Sequence, residues 1–169
     1  MPILNPSIVL QTHYPLLETN DFSFEFVTDR GIHYVAYFLE YGYMFSEYPD
    51  FSGHTYTFNI DLISDESDIA INDERVGMTI VEIFKVFFSK IENVVVYVCD
   101  SMDDRHLARK RKFDSWFWKY NDGTIIKEDG IAVVEDTEIL NSLLVHRDNP
   151  HLLNIILAYK ELNNRADEK

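Results

Sequence analysis

The chain reads as an α+β domain: a mixed, mostly antiparallel sheet with helices packed on it. Three observations lead there. Residues 22–26 and 55–62 alternate apolar and polar side chains, the pattern of half-buried strands. Residues 93–99 carry VVVYV at their centre, the near-continuous apolar run of a strand buried on both faces. That run lies between two stretches whose apolar residues recur at helical spacing. With 169 residues, 46% hydrophobic and 14% aromatic, the chain can bury a sizeable core within one domain.

Taken in order, residues 1–20 hold three of the five prolines and little periodicity, so they are expected to form an arm or edge element. One α+β domain should span residues 21–162, with residues 163–169 as a frayed tail. Phe22-Ser23-Phe24-Glu25-Phe26 is the first strand, and the turn Thr28-Asp29-Arg30-Gly31 follows. Residues 32–45 form a β-branched and aromatic second strand, with Gly42 at a bulge. Pro49 and Gly53 mark a loop before the third strand at 55–62. An acidic stretch with Asp65, Glu66, Asp68, Asp73 and Glu74 should be solvated. Thr79 and Glu82 have the spacing of a capping box. Ile80, Ile83, Phe84, Phe87 and Ile91 continue as a helix, and 93–99 is the fourth strand. A second helix follows and ends at Asn121-Asp122-Gly123. Glu128-Asp129-Gly130 reads as the turn of a closing hairpin. Residues 137–145 read as a short helix or turn, and Asn149-Pro150 opens the last helix. The expected order is β-β-β-α-β-α-β-β-α.

Residues 94–120, VVVYVCDSMDDRHLARKRKFDSWFWKY, are where residue types point to a functional site. Arg105, Arg109, Lys110, Arg111 and Lys112 place five of the 15 basic residues within eight positions of an otherwise acidic chain. At helical pitch, Met102, His106, Arg109, Phe113, Trp116, Phe117 and Tyr120 share a stripe about 100° wide. Its aromatic half should pack on the core. Its first half presents His106 and Arg109, and a core-facing arginine must be paired or solvated. Two readings stand side by side. In one, Asp100, Asp103 and Asp104 neutralise the cations and cap the helix as a structural strut. In the other, the end of a strand and the start of a helix form a site for an anionic ligand.

A net charge of −14 argues against binding to duplex nucleic acid. The single cysteine, Cys99, admits no intrachain disulfide. No basic-then-apolar leader and no apolar run of membrane-spanning length is visible, so a cytoplasmic location is expected. The six histidines show no metal-ligand spacing, and no metal site is expected.

Two resemblances add to this reading. CDSMDDRHLARKRKFDSWF and the later SLLVHRDNP resemble the signature of short, functionally uncharacterised proteins of Bacteroidetes bacteria, over residues 20–160. That likeness implies a bacterial cytoplasmic protein. It draws attention to Asp100, Asp104, Arg105, Arg109, Arg111, Phe113 and Trp116; Asp104 stands where glycine would be expected. The element order is also similar to the core of the GCN5-related N-acetyltransferases. There a Gln/Arg-x-x-Gly-x-Gly/Ala loop holds the coenzyme A pyrophosphate ahead of a helix. Here Arg75-Val76-Gly77-Met78-Thr79 occupies that place with only Gly77 in register, beside Asp73 and Glu74.

The resulting expectation is an anionic-ligand-binding or acyltransfer-type domain on a degenerate acetyltransferase-like core. Its ligand would be held by Asp100, Asp104, Arg105, Arg109, Trp116 and Gly77, with His106 as catalytic acid or base. No cofactor is named by the sequence. The alternative is a non-catalytic, acidic protein-interaction module in a bacterial regulatory or defence assembly, meeting its partner through exposed aromatics such as Trp118.

Overall fold

The structure is a computed structural model that describes residues 12–20, 22–63, 73–99 and 106–166. Its strands are β1 (Leu17–Asn20), β2 (Ser23–Val27), β3 (His33–Glu40), β4 (Thr55–Leu62), β5 (Val94–Cys99), β6 (Ile125–Val134) and β7 (Thr137–His146). Its helices are α1 (Pro49–Ser52), α2 (Glu74–Phe87), α3 (His106–Tyr120) and α4 (Leu152–Ala166). The sheet order is β1-β2-β3-β4-β5-β7-β6. Every neighbouring pair is antiparallel except β4 and β5, which run parallel. The α+β architecture with a mixed, mostly antiparallel sheet is therefore as the sequence predicts.

Alternation along the strands sends side chains to two separate cores. On one face, Phe24, Phe26, Phe38, Phe58, Val95 and Leu144 meet Ile80, Ile83, Phe84 and Phe87 of α2 and Phe113 of α3. On the other, Val94, Val96, Leu143 and Val145 meet Ile155, Ala158 and Tyr159 of α4, with Phe45 and Phe51. Consecutive residues of β5 thus enter opposite cores, and Val94 and Val95 are both fully buried. The unbroken apolar run of this strand has its cause there.

Several expectations are corrected. Leu17–Asn20, expected within an arm or edge element, is an edge strand, so four described strands rather than three precede α2. The second predicted strand stops at Glu40, and Gly42–Phe45 is a 3-10 turn rather than a bulged continuation. A Cβ on Gly42 would lie 2.1 Å from the Ser52 carbonyl oxygen, so this turn closes on α1 only with glycine. Helix α2 starts five residues before the expected capping box. Asp73 caps it, accepting from the Arg75 amide at 2.9 Å. Thr79 instead accepts from the Tyr14 amide at 2.9 Å and ties the N-terminal segment to the helix.

The closing hairpin turns at Glu135-Asp136, not at Glu128-Asp129-Gly130. Both turn residues take left-handed backbone angles, φ 50° and 63°. Residues 137–145, expected as a helix or turn, lie in strand β7 and pair with β6 without a break. Gly130 lies inside β6 because α4 crosses there: a Cβ would sit 2.6 Å from the Tyr159 hydroxyl and 2.7 Å from Asn163 Nδ2. Asn163, expected in a frayed tail, is buried and bonds to Asn141, and α4 continues to Ala166.

Candidate anion site at the end of the parallel strands

Strands β4 and β5 run in the same direction, so Leu62 and Cys99 end on one edge of the sheet, where α2 and α3 then begin. Ligands of α/β sheets gather at the C-terminal ends of parallel strands. The pair is registered only at Thr55↔Val94 and Tyr56↔Val95; beyond that, the described residues of the two strands share no further ladder pairs. Asn59 follows on β4, with its side chain on the sheet face opposite Phe58, and its buried Nδ2 has no hydrogen-bond partner among the described residues. An unsatisfied buried donor costs about 1–3 kcal/mol, which is a reason to look for what it serves.

The two helix starts at this edge differ in charge. At α2 the Asp73 carboxylate already occupies the N-terminus, and it also accepts from the Tyr14 hydroxyl. Arg75 turns away to Asp29 at 3.0 Å and to the Thr12 carbonyl at 2.8 Å, with its guanidinium 4.0 Å above the Tyr14 ring. At α3 the first and fourth residues are His106 and Arg109, placed here as backbone positions of the helix. Asp100, Asp104 and Arg105 lie outside the described residues.

Gly77 and Trp116, 39 positions apart in sequence, are brought into contact. Gly77 is the fourth residue of α2, within the helix rather than in a loop. A Cβ there would come within 2.4 Å of Trp116 Cδ1 and 2.7 Å of its Nε1. The glycine lets α3 approach α2 by seating the indole against helix backbone. Phe113 fulfils the core expectation: it stacks on Tyr97 at 4.4 Å and meets Phe84 edge-on at 5.8 Å. Arg111 and Trp118 face outward, as the helical phase predicts.

Sequence reasoning missed a neighbouring charge cluster. Lys110 reaches Asp114 at 2.7 Å and Asp129 at 3.1 Å, and its side chain is 15% exposed. Lys127, only 9% exposed, reaches Asp114 at 2.8 Å and also contacts Asp129. Ser142 donates to Asp129 at 2.7 Å. Burial raises the Asp129 carboxyl, but bonds from Lys127, Ser142 and Lys110 outweigh it and hold the pKa at about 2. For Lys110, burial opposes the charged form, and Asp114 and Asp129 more than restore it, so its pKa is raised. The Lys110–Asp114 spacing of four was a usable signal; the strand partners were not, because residues 128–130 read as a turn. The ladders Asp129↔Ser142 and Ser142↔Tyr97 carry this row across the sheet to β5, beneath the first half of α3.

Among the described residues, no three His, Cys, Asp or Glu side chains are placed to hold a metal ion, and no helix is long and apolar enough to cross a membrane. No curated protein and no solved structure matches the chain. A family model described as a family of unknown function, DUF6169, matches residues 72–161, from just ahead of α2 into α4. The match begins later than the expected residue 20 and leaves out β1–β4. It takes in α2 together with β5, α3 and the β6–β7 hairpin, the last three being the elements that build the charged row. The chain belongs to the DUF6169 family of unknown function.

Proposed function

We propose that this is a small-molecule-binding domain on a degenerate acetyltransferase-like core, taking an anionic ligand where β4 and β5 part and α3 begins. The observation that carries the reading is the parallel β4–β5 pair, registered for only two residue pairs, at the sheet edge where α3 begins. A sheet of this order, with one parallel pair between antiparallel arms, also supports the likeness to acetyltransferases. Arg105 and Arg109 would hold a phosphate or carboxylate, the positive end of α3 would add to their field, and His106 would supply or accept a proton.

Coenzyme A fits this core poorly. The corresponding helix start carries its own carboxylate, Asp73, and Arg75 is engaged by Asp29 and Thr12. A pyrophosphate there would meet negative charge. The ligand class favoured is a compact carboxylate or phosphate. The bacterial origin and cytoplasmic location implied by the sequence resemblance belong to this same proposal.

Thermal shift and calorimetry against acetate, inorganic phosphate, nucleotides and acetyl-CoA test it. The reading expects saturable binding of a small anion, lost in Arg109→Ala with stability nearly unchanged, and no submicromolar binding of acetyl-CoA. If Arg109 is instead one half of a buried strut with Asp100, Arg109→Ala costs about 3–5 kcal/mol and the ligand reading fails. Submicromolar acetyl-CoA binding would restore a coenzyme-dependent acyltransferase.

The second reading, an interaction module, is favoured by one specific observation: Trp118 is 88% exposed on the outer face of α3.

A further inference from the structure

Two surfaces are left open on opposite sides of the sheet. The outer face of α3 presents Leu107, Arg111, Lys112, Ser115 and Trp118, all exposed. The helix contains one acidic residue, Asp114, and it is turned inward to Lys110 and Lys127. In a chain of charge −14 this is a basic face with an indole standing out from it. On the other side, a groove of about 380 Å³ runs between α4 and the segment 47–51. Tyr48, Pro49 and Leu157 give it apolar walls, and Glu47, Asp50 and Glu161 are acidic groups along it. Arg165 offsets part of that charge through Glu47 at 3.2 Å and Glu161 at 2.7 Å.

We propose that a second copy of this chain docks the Trp118 face of α3 into the groove between α4 and residues 47–51. Charge decides the partner. The groove is acidic with apolar walls, and the helix face is basic with an aromatic tip, so each surface supplies what the other lacks. Tryptophan and arginine are the residue types that most often anchor interfaces. A single copy cannot make the contact, because α3 packs on one face of the sheet and α4 on the other. Among the described residues Arg111 and Lys112 make no ion pair, Lys112 lying 5.5 Å over the Trp116 ring, whereas Lys119 is held by Glu74 at 2.9 Å. Two cations on a strongly acidic body suit a compact acidic groove; a nucleic acid or anionic membrane extending past them would meet repulsion. The contact is heterologous, so it builds a head-to-tail chain or a ring rather than an isologous dimer.

Sedimentation velocity over a concentration series tests this, at about 50 mM and about 500 mM salt. Mass should rise with concentration at low salt and fall back at high salt. Trp118→Ala and Leu157→Arg, both at exposed positions, should each weaken association at least tenfold while circular dichroism is unchanged. Mixed together, the two variants retain one intact contact and should form a one-to-one dimer and nothing larger. Wild type that stays monomeric at low salt, Trp118→Ala that associates as wild type does, or a mixture that stays monomeric would each overturn the proposal.

Discussion

Gly77→Ala should destabilise the protein, against what helix propensity expects. Alanine in a helix interior is worth about 1 kcal/mol over glycine, so the substitution alone should stabilise α2. The new Cβ would lie 2.4 Å from Trp116 Cδ1. Carbon atoms in contact sit near 3.5–4.0 Å, so the indole must retreat by roughly 1 Å. Overpacking of this kind costs about 1–3 kcal/mol. The indole is half-buried and packs against the main core, which places the cost toward the upper end. Subtracting the propensity gain leaves a net loss of about 1–2 kcal/mol. With Trp116→Ala as background the obstacle is gone, and the same substitution should stabilise by about 1 kcal/mol. Urea denaturation of the four proteins in this cycle measures both signs and their coupling. A higher midpoint for Gly77→Ala in the wild-type background would refute the close approach of α2 and α3.

Three further outcomes are expected. Val95→Ala should lower stability by about 1–3 kcal/mol in urea denaturation, because Val95 is fully buried in an interior strand. Tyr159→Phe should cost about 1–2 kcal/mol by the same assay, since its hydroxyl is buried and bonded to Asn141. The Asp129 carboxyl, at about 2 when folded, lies below its unfolded value near 3.9. Its stabilisation is therefore present above about pH 4 and lost as pH falls toward 2. The side chain is half exposed, so screening leaves about 1 kcal/mol or less. Asp129→Asn should lose that much less stability than wild type between pH 5 and pH 2, and equal losses would contradict the assigned network.

What the sequence disclosed follows from which forces were local. Thr55–Leu62 and Val94–Cys99 were legible because alternation and continuous burial are written directly into neighbouring residues. Residues 137–145 were misread because Asn141 and Ser142 interrupt the apolar run. Their polar side chains find partners on α4 and β6, Asn141 with Asn163 and Ser142 with Asp129. Gly130 was misread as a turn residue for the same reason, since its requirement comes from Tyr159, 29 positions later. Phe113 and Trp118 fell on the sides that helical phase assigns them. The phase could not foresee that Lys110 would carry the partly buried charge, because its partner Asp129 comes from strand β6.

The most direct test is an NMR titration of the nitrogen-15-labelled protein with acetate and with inorganic phosphate, following the backbone amide of Cys99 at the end of β5 together with those of His106 and Arg109 at the start of α3. These signals should shift together and saturate with one dissociation constant, and Arg109→Ala should abolish the shift at Cys99. Signals at Cys99 that do not move, while those of Arg111 and Lys112 on the outer face of α3 do, would contradict a ligand site at the parting of β4 and β5.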